Sequence, residues 1–229
     1  MVTGSGMIAK RLSDYAQDDR FLIFASGVSH SMLNDSKAFE REKDLLSDTI
    51  TNHSKKNLVY FSTCGIYDPS MKNSPYILHK LEMENVIKTS GINYTIFRVS
   101  NPVGKTDNSH TVLNYFIKNI REKKEFTVWK YASRNLIDLD DMYAICHYIL
   151  SNHLFKNLTV NIANPVNYSV ISIINVIEEH FGIKGNYRLA EKGNSPLIDI
   201  SFIQPIISKL AIDFNNFYLP SLLQKYFPA

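Results

Sequence analysis

The sequence predicts an α/β fold built on a mainly parallel sheet. Apolar runs of strand length alternate with longer stretches of helical period, as βαβ units require. A glycine turn, Gly4-Ser5-Gly6, follows the first apolar residues, and Pro75 and Gly91 fall where a helix should open and close. At 229 residues, 45% hydrophobic and 21% charged, the chain suits one α/β domain with a small C-terminal lobe and is too short for two large independent domains.

Residues 1–4 end a first strand, and Ser5–Asp18 make the helix after it. Phe21–Ala25 is a second strand running into the turn Ser26-Gly27. A helix over Lys37–Asn52 follows, with Phe39, Leu45, Leu46, Thr49 and Ile50 as its apolar stripe. Leu58–Ser62 reads as a strand covered on both faces. Ser74-Pro75 opens the next helix, with proline where a missing N–H costs nothing, and Gly91 ends it before the strand Ile92–Val99. Beyond lie a helix near Thr111–Lys123, a strand at Phe126–Trp129, a short helix Asp140–Ser151, a strand Thr159–Ile162 and a helix Ser169–Phe181. The segment holding Gly193, Pro196, Pro205 and Pro220 has no clear period.

Composition excludes several functions. No stretch approaches the roughly 18 uninterrupted apolar residues of a membrane span. The N-terminus has no basic region leading into an apolar core, so no signal peptide and a cytoplasmic location are expected. The net charge is only +3, and runs such as Glu40-Arg41-Glu42-Lys43 and Arg121-Glu122-Lys123-Lys124 mix signs as solvated helix faces do, which argues against a nucleic-acid groove. Cys64 and Cys146 are too few for a disulfide framework, and His79, His110 and His147 lack metal-ligand spacing, so no metal is expected.

Gly4-Ser5-Gly6-Met7-Ile8-Ala9 fits G-x-G-x-x-G/A between a strand and a helix, where glycine lets a pyrophosphate approach backbone N–H groups and Ala9 lets the helix pack close to the strand. By itself that motif is weak. Tyr76 and Lys80, four apart at the start of a helix, share one face. An ammonium beside a phenol lowers its pKa from about 10 and makes an acid/base for an alcohol–ketone pair, with neither residue expected in the core. Y-x-x-x-K usually marks a solvated face; the preceding strand end Ser62-Thr63-Cys64-Gly65-Ile66-Tyr67, with Thr63 able to hold a substrate oxygen, reverses that reading.

These motifs resemble the extended short-chain dehydrogenase/reductase family, the NAD-dependent epimerase/dehydratase group that modifies nucleotide sugars. Arg98-Val99-Ser100-Asn101-Pro102-Val103-Gly104 is similar to its R-x-x-N-x-x-G strand end, and Arg134–Asp141 to its R-D-F-I-H-V-D-D segment. Asn161-Ile162-Ala163 is similar to a later N-I-G strand. The resemblance implies a Rossmann-like, doubly wound parallel sheet, with a dinucleotide-binding core over residues 1–105 and residues 106–229 completing that core and forming a small substrate-binding lobe. It implies Thr63, Tyr76 and Lys80 as catalytic. Gly4, Ser5, Gly6, Met7, Ile8, Arg11, Ala25, Ser26, Gly27, Ser62, Tyr76, Lys80, Val99 and Pro102 would meet the cofactor, and Thr63, Asn101 and Arg134 the substrate. Arg98 would lie beside nicotinamide and substrate, or else bridge strand ends; Arg134 would meet a diphosphate, or else pair with Asp138 or Asp140.

Only about a dozen residues separate Ala9 from Phe21, so a strand–helix–strand unit of the family is missing and the hold on the adenosine end is open. Lys10, Arg11 or Arg20 near a 2′-phosphate would tilt the choice between NADP and NAD toward NADPH. Cys64-Gly65 stands where family dehydratases carry Asp-Glu, which argues against dehydration. The expectation is an oxidoreductase that reduces a keto group, C4 of a 4-keto-6-deoxy sugar, on a dTDP-, UDP-, GDP- or CDP-linked sugar in deoxysugar and polysaccharide biosynthesis. The alternatives are an epimerase with tightly held NAD and a non-catalytic nucleotide-binding protein. A homodimer is expected through the helices Lys37–Asn52 and Pro75–Thr89.

Overall fold

A computed structural model describes residues 1–28 and 35–228. Its main sheet runs β1 (Val2–Thr3), β2 (Phe21–Phe24), β3 (Asn57–Thr63), β4 (Asn93–Val99), and then, after a long excursion, β9 (Leu158–Ile162), in the order β1-β2-β3-β4-β9 and parallel at every step. The excursion holds β5 (Asn101–Val103), α4 (Val112–Arg121), β6 (Glu125–Trp129), β7 (Ser133–Arg134), β8 (Leu136–Asp138) and α5 (Leu139–Ser151). After β9 come β10 (Tyr168–Ser169), α6 (Val170–Phe181), β11 (Asn186–Ala190), α7 (Gln204–Lys209) and α8 (Tyr218–Tyr226).

Alternation along the strands divides the core into two layers. Ile23, Val59, Phe61, Phe97, Val99, Val160 and Ile162 face α1 (Met7–Arg11) and α5, with Leu12, Tyr15, Met142 and Ile145 opposite. Leu22, Phe24, Leu58, Tyr60 and Ile96 face α2 (Ser36–Asn52) and α3 (Pro75–Thr89) through Leu46, Ile50, Met83 and Ile87. Helices therefore cover both faces. The connections β1–α1–β2, β2–α2–β3 and β3–α3–β4 all step the same way across the sheet, yet α1 lies on the opposite face from α2 and α3. The first crossover therefore has the opposite hand to the other two. Parallel crossovers are almost always right-handed. Such an inversion results when a strand–helix–strand unit is lost from the doubly wound order 3-2-1-4-5-6, because the first helix then returns from its own face to a strand served by the other. β1 stands at the sheet edge, paired only with β2 among the described residues.

The expected first helix is shorter than its sequence pattern. It stops at Arg11 and continues as a 3₁₀ turn over Ser13–Gln17. Residues three apart eclipse in a 3₁₀ turn, and Leu12 and Tyr15 are both buried here. On α3, Ile77, Met83 and Ile87 are buried, whereas Leu78 and Leu81 stay exposed beside the Lys43–Glu82 pair that ties α2 to α3.

After residue 105, α5, β9 and α7 complete the main core, while α4, β6, α6 and α8 close a second one around Phe116, Ile120, Ile173, Ile177 and Leu222. The aperiodic C-terminal segment thus holds two helices and a strand. α8 fastens the second core to the start of α5. Tyr218 Oη donates to Asp141 and accepts from the Asp138 N–H, while Lys225 and Tyr226 both bond Asp138. Among the described residues no helix is long and apolar enough to cross a membrane, and no group of His, Cys, Asp and Glu could hold a metal.

Candidate active site

The strand ends bring the predicted residues to one edge of the sheet. Thr3 pairs with Phe24 and Thr63 with Val99, so Gly4, Ala25, Thr63 and Ser100 all leave the carboxyl ends of parallel strands, where open α/β sheets bind ligands. Gly4 sits at φ +126°, and a Cβ there would drive into the Ala25 carbonyl. The turn between β1 and α1 therefore has to be glycine. Gly6 caps α1 with no side-chain hydrogen bond, and nothing lies within 4 Å of where its Cβ would be. Those uncapped first-turn amides and the space above them fit a pyrophosphate. Ser5 is exposed and Met7 and Ile8 are half-buried alongside, while Ala9 is buried as the motif requires.

At the adenosine side the fit stops. Arg11 Nε donates to Asp140 Oδ1 at 2.5 Å, and its guanidinium lies 3.5 Å from the centre of the Tyr143 ring. Arg11 is thus committed to packing α1 on α5. Arg20 is held by Asp18. No described strand lies beyond β1.

Thr63 ends β3 and accepts a hydrogen bond from the Gly65 N–H at 2.9 Å, which starts the 3₁₀ turn Cys64–Tyr67. Ser74 caps α3 by accepting from the Ile77 N–H, and the helix then presents Tyr76 toward Thr63. Both Tyr76 and Lys80 are buried, at 9% and 3% exposure, contrary to the expectation that neither lies in the core. Burial pushes the Tyr76 hydroxyl up to about 12, the Thr63 contact pulls the other way, and the charge of Glu42 adds to the rise. Lys80 Nζ instead donates to Glu42 Oε1 at 2.9 Å and to Tyr60 Oη at 3.1 Å. Burial lowers the Lys80 pKa against the opposing pull of Glu42.

Glu42, read from sequence with its neighbours as part of a solvated face, is fully buried. Burial alone would raise its pKa, but the bond from His79 and the charge of Lys80, with the Val28 N–H and Tyr60, hold it down at about 2. A signal existed: Glu42 lies in register with Phe39, Leu46 and Thr49 on the apolar stripe of α2, where a carboxylate demands partners. His79 is one of them.

A second buried carboxylate organises the remaining residues. Glu84 accepts Arg98 Nε at 2.8 Å and Nη2 at 2.7 Å in a two-pronged pair, and Ser62 Oγ donates to it at 2.7 Å. Arg98 Nη1 also reaches Tyr67 Oη, which donates to Asn161 Oδ1. Arg98 therefore bridges strand ends, and Ser62 is occupied by the same carboxylate. Cys64 is buried, its thiol pushed up to about 12 by that burial, and it donates to the Arg98 carbonyl. It is packing.

Asn101 bonds the Asn135 carbonyl through both its backbone N–H and its side-chain amide, while Val99 is buried and Pro102 half-buried beside it. Ser100, absent from the predicted set, has a buried hydroxyl with no partner among the described residues. Arg134 makes neither of its alternative ion pairs. Asp138 belongs to Lys225 and Asp140 to Arg11 and Lys225, whereas the half-buried Arg134 guanidinium donates to the Ser133 carbonyl. Burial lowers its pKa, with the Asp68 charge opposing.

Comparison with known proteins agrees with this architecture. UDP-glucose 4-epimerase from Thermotoga maritima, solved with UDP-glucose, superposes with a TM-score of 0.65 at 14% identity over 87% of this chain and 74% of that one. RMD from Pseudomonas aeruginosa, solved with NADPH, gives 0.66 at 15% identity over 86% and 88%. The dTDP-glucose 4,6-dehydratase from Bacillus anthracis, solved with NAD, gives 0.68 at 14% identity over 95% and 76%. At such identities the likeness establishes the fold. No curated protein matches the chain by sequence. The model of the NAD dependent epimerase/dehydratase family matches residues 24–163, more than half of the sequence, and the chain belongs to that family.

Proposed function

We infer that the protein reduces a keto group on a nucleotide-linked sugar, C4 of a 4-keto-6-deoxy sugar, with NADPH or NADH. The observation that carries this reading is the placement of Tyr76 in the first turn of α3, facing Thr63 at the carboxyl end of β3, where its hydroxyl can give a proton to a substrate oxygen that Thr63 holds.

A reduced nicotinamide, when bound, supplies the two electrons. In this reading Gly4, Ser5, Gly6, Met7 and Ile8 hold its pyrophosphate, and Ala25, Ser26, Gly27, Ser62, Lys80, Val99 and Pro102 line its nicotinamide side. Thr63 holds the substrate carbonyl oxygen by a hydrogen bond, and Tyr76 gives that oxygen its proton. Asn101 and Arg134 bind the nucleotide sugar; Arg134 has guanidinium donors to spare and no carboxylate partner among the described residues, which suits a diphosphate. The rival is a nucleotide-binding protein without turnover, favoured by one observation: β1 is the sheet edge on the side where adenosine would sit.

The test is consumption of NAD(P)H by purified protein with a panel of 4-keto nucleotide sugars. We expect one equivalent oxidised per ketone, and Tyr76→Phe to cut turnover on the order of 10²–10⁴-fold. Because Tyr76 is buried, the variant's melting temperature is read alongside. Ligand-induced stabilisation with no turnover for any ketone overturns reduction in favour of the binding protein. Cofactor retained through gel filtration, with none required in the assay, would indicate an epimerase.

A further inference from the structure

Asn135, between β7 and β8, is buried and stands where the segment R-D-F-I-H-V-D-D has aspartate. Its side chain pairs with the main chain of Asn164 as a neighbouring strand would. Oδ1 accepts the Asn164 N–H at 3.0 Å, and Nδ2 donates to the Asn164 carbonyl at 2.7 Å. Nδ2 also donates to Asn167 Oδ1 at 2.9 Å. Asn167 in turn donates to the Pro196 carbonyl at 2.8 Å, and the next residue, Tyr168, pairs with Arg134 in the β10–β7 ladder. One amide therefore ties the loop after β9 to the strand that carries Arg134 and, through Asn167, to the extended segment after β11. These bonds also hold the Asn135 main chain, whose carbonyl accepts the Asn101 N–H at 3.1 Å and the Asn101 side-chain amide at 2.8 Å. A carboxylate at this position would meet the Asn164 N–H with one oxygen, but the other would face the Asn164 carbonyl and Asn167 Oδ1 with no hydrogen to offer. The surroundings call for one donor and one acceptor on the same group, which an amide has.

We propose that Asn135 is a positioning residue for the nucleotide sugar: it sets Asn101 through its own carbonyl and Arg134 through the Asn164–Tyr168 segment, without touching the ligand itself. The proposal rests on the assignment of Asn101 and Arg134 to the nucleotide sugar made above. The cofactor residues Gly4–Ile8 and Ala25–Gly27 lie on other strand ends and make no printed bond to this cluster. Disturbing Asn135 should therefore weaken one ligand and spare the other.

The experiment uses the full chain as parent, Asn135→Asp and Asn167→Ala. Binding of dTDP-, UDP-, GDP- and CDP-glucose and of NADH is measured by calorimetry from pH 5 to pH 8, and hydrogen exchange of the free proteins by mass spectrometry. At pH 8 Asn135→Asp is expected to bind the parent's preferred nucleotide sugar about tenfold or more weakly, the size of one lost hydrogen bond left uncompensated, with the NADH dissociation constant within about twofold of the parent's. The oxygens facing the new carboxyl favour its neutral form and raise its pKa above the ordinary value of about 3.9. Once protonated it offers one donor and one acceptor, as the amide does. The deficit against the parent should therefore shrink as pH falls toward 5, a recovery that lost packing alone would not give. Unchanged nucleotide-sugar affinity at pH 8, equal weakening of both ligands, or a deficit constant across the pH range overturns the proposal. Should Asn135→Asp fail to fold, Asn167→Ala removes one acceptor of Nδ2 and leaves the Asn164 pair; it is expected to weaken the nucleotide sugar severalfold at unchanged NADH affinity, and no change overturns the proposal. If the parent binds none of the four nucleotide sugars, the functional reading fails and hydrogen exchange decides on Asn135 alone. The variant that folds should then exchange faster over residues 99–104 and 163–169 and at the parent rate over 57–63, and unaltered exchange in the first two segments overturns the proposal.

Discussion

Ser100 has a hydroxyl that is buried and unbonded among the described residues, between Val99 of β4 and the Asn101 amide. An unsatisfied buried hydroxyl costs about 1–3 kcal/mol, and replacing it by an apolar group of similar shape is close to neutral or stabilising. It stands at the carboxyl end of β4, one residue beyond the pair Thr63–Val99. A ligand in the site could supply its missing partner. Ser100→Ala is therefore expected to keep or raise the melting temperature of the free protein while reducing the stabilisation gained from a nucleotide sugar or NAD(P)H. Equal loss in free and liganded protein would show instead that the hydroxyl serves the fold. Sequence patterns place Ser100 inside the strand-end motif but are silent on its hydroxyl, because burial without a partner is a property of three strand ends meeting. Thr63, Tyr76 and Lys80 were legible because a four-residue helix spacing and a strand end are local. Glu42 and Glu84 were not, since a carboxylate on an amphipathic helix looks solvated until the sheet face it meets is known.

At the level of elements, the two buried carboxylates hold the helices of one layer to the sheet. Glu42 joins α2 to α3 and β3, and Glu84 joins α3 to β3 through Ser62 and to β4 through Arg98. Burial opposes ionisation of Glu84, but Arg98, Ser62 and Lys88 together hold its pKa below the usual carboxylate range, and Glu42 sits at about 2. A carboxylate whose folded pKa is depressed contributes stability above its unfolded pKa and loses it as pH falls toward the folded value. The melting temperature should therefore be level above about pH 5 and fall steeply as pH drops from about 4.3, the unfolded glutamate value, toward about 2. Glu84→Gln should be less stable at neutral pH yet show a shallower acid fall, measured by thermal denaturation across that range. Parallel curves for the two proteins would rule out this source of acid lability. The same layer shows which elements a sequence reveals. α2, α3, β3 and β4 are long enough for their periods to show, whereas β5, β7, β8 and β10 are only 2–3 residues long and owe their form to the strand each pairs with. α7 and α8 were hidden for a related reason: Pro205 and Pro220 look like breaks, yet Pro205 opens α7 and Pro220 lies in the first turn of α8, where a missing N–H is harmless.

For the molecule as a whole, the inverted hand of β1–α1–β2 and the edge position of β1 have one cause, and the family match begins at Phe24, just beyond the shortened region. A complete doubly wound sheet binds a dinucleotide across the point where strand order reverses, reading the adenosine ribose with an acid or a base from the second strand. In this molecule the described sheet has strands on one side of that point only. The cations that would recognise a 2′-phosphate are spent elsewhere: Arg11 on Asp140 and Tyr143, Arg20 on Asp18. Lys10 is left, exposed at the end of α1, where solvent and salt reduce its pull. Among the described residues no second strand carries a carboxylate that would favour NADH by binding the 2′-hydroxyl and repelling a phosphate. With neither device present among the described residues, NADPH and NADH should bind with dissociation constants within about tenfold of each other, a difference under ~1.4 kcal/mol, with any preference for NADPH fading as salt is raised. Titration of the free protein by calorimetry at two ionic strengths would check this. A salt-independent preference well beyond tenfold would mean that a dedicated ribose-reading residue exists outside the described sheet edge, and that losing the strand–helix–strand unit has been compensated.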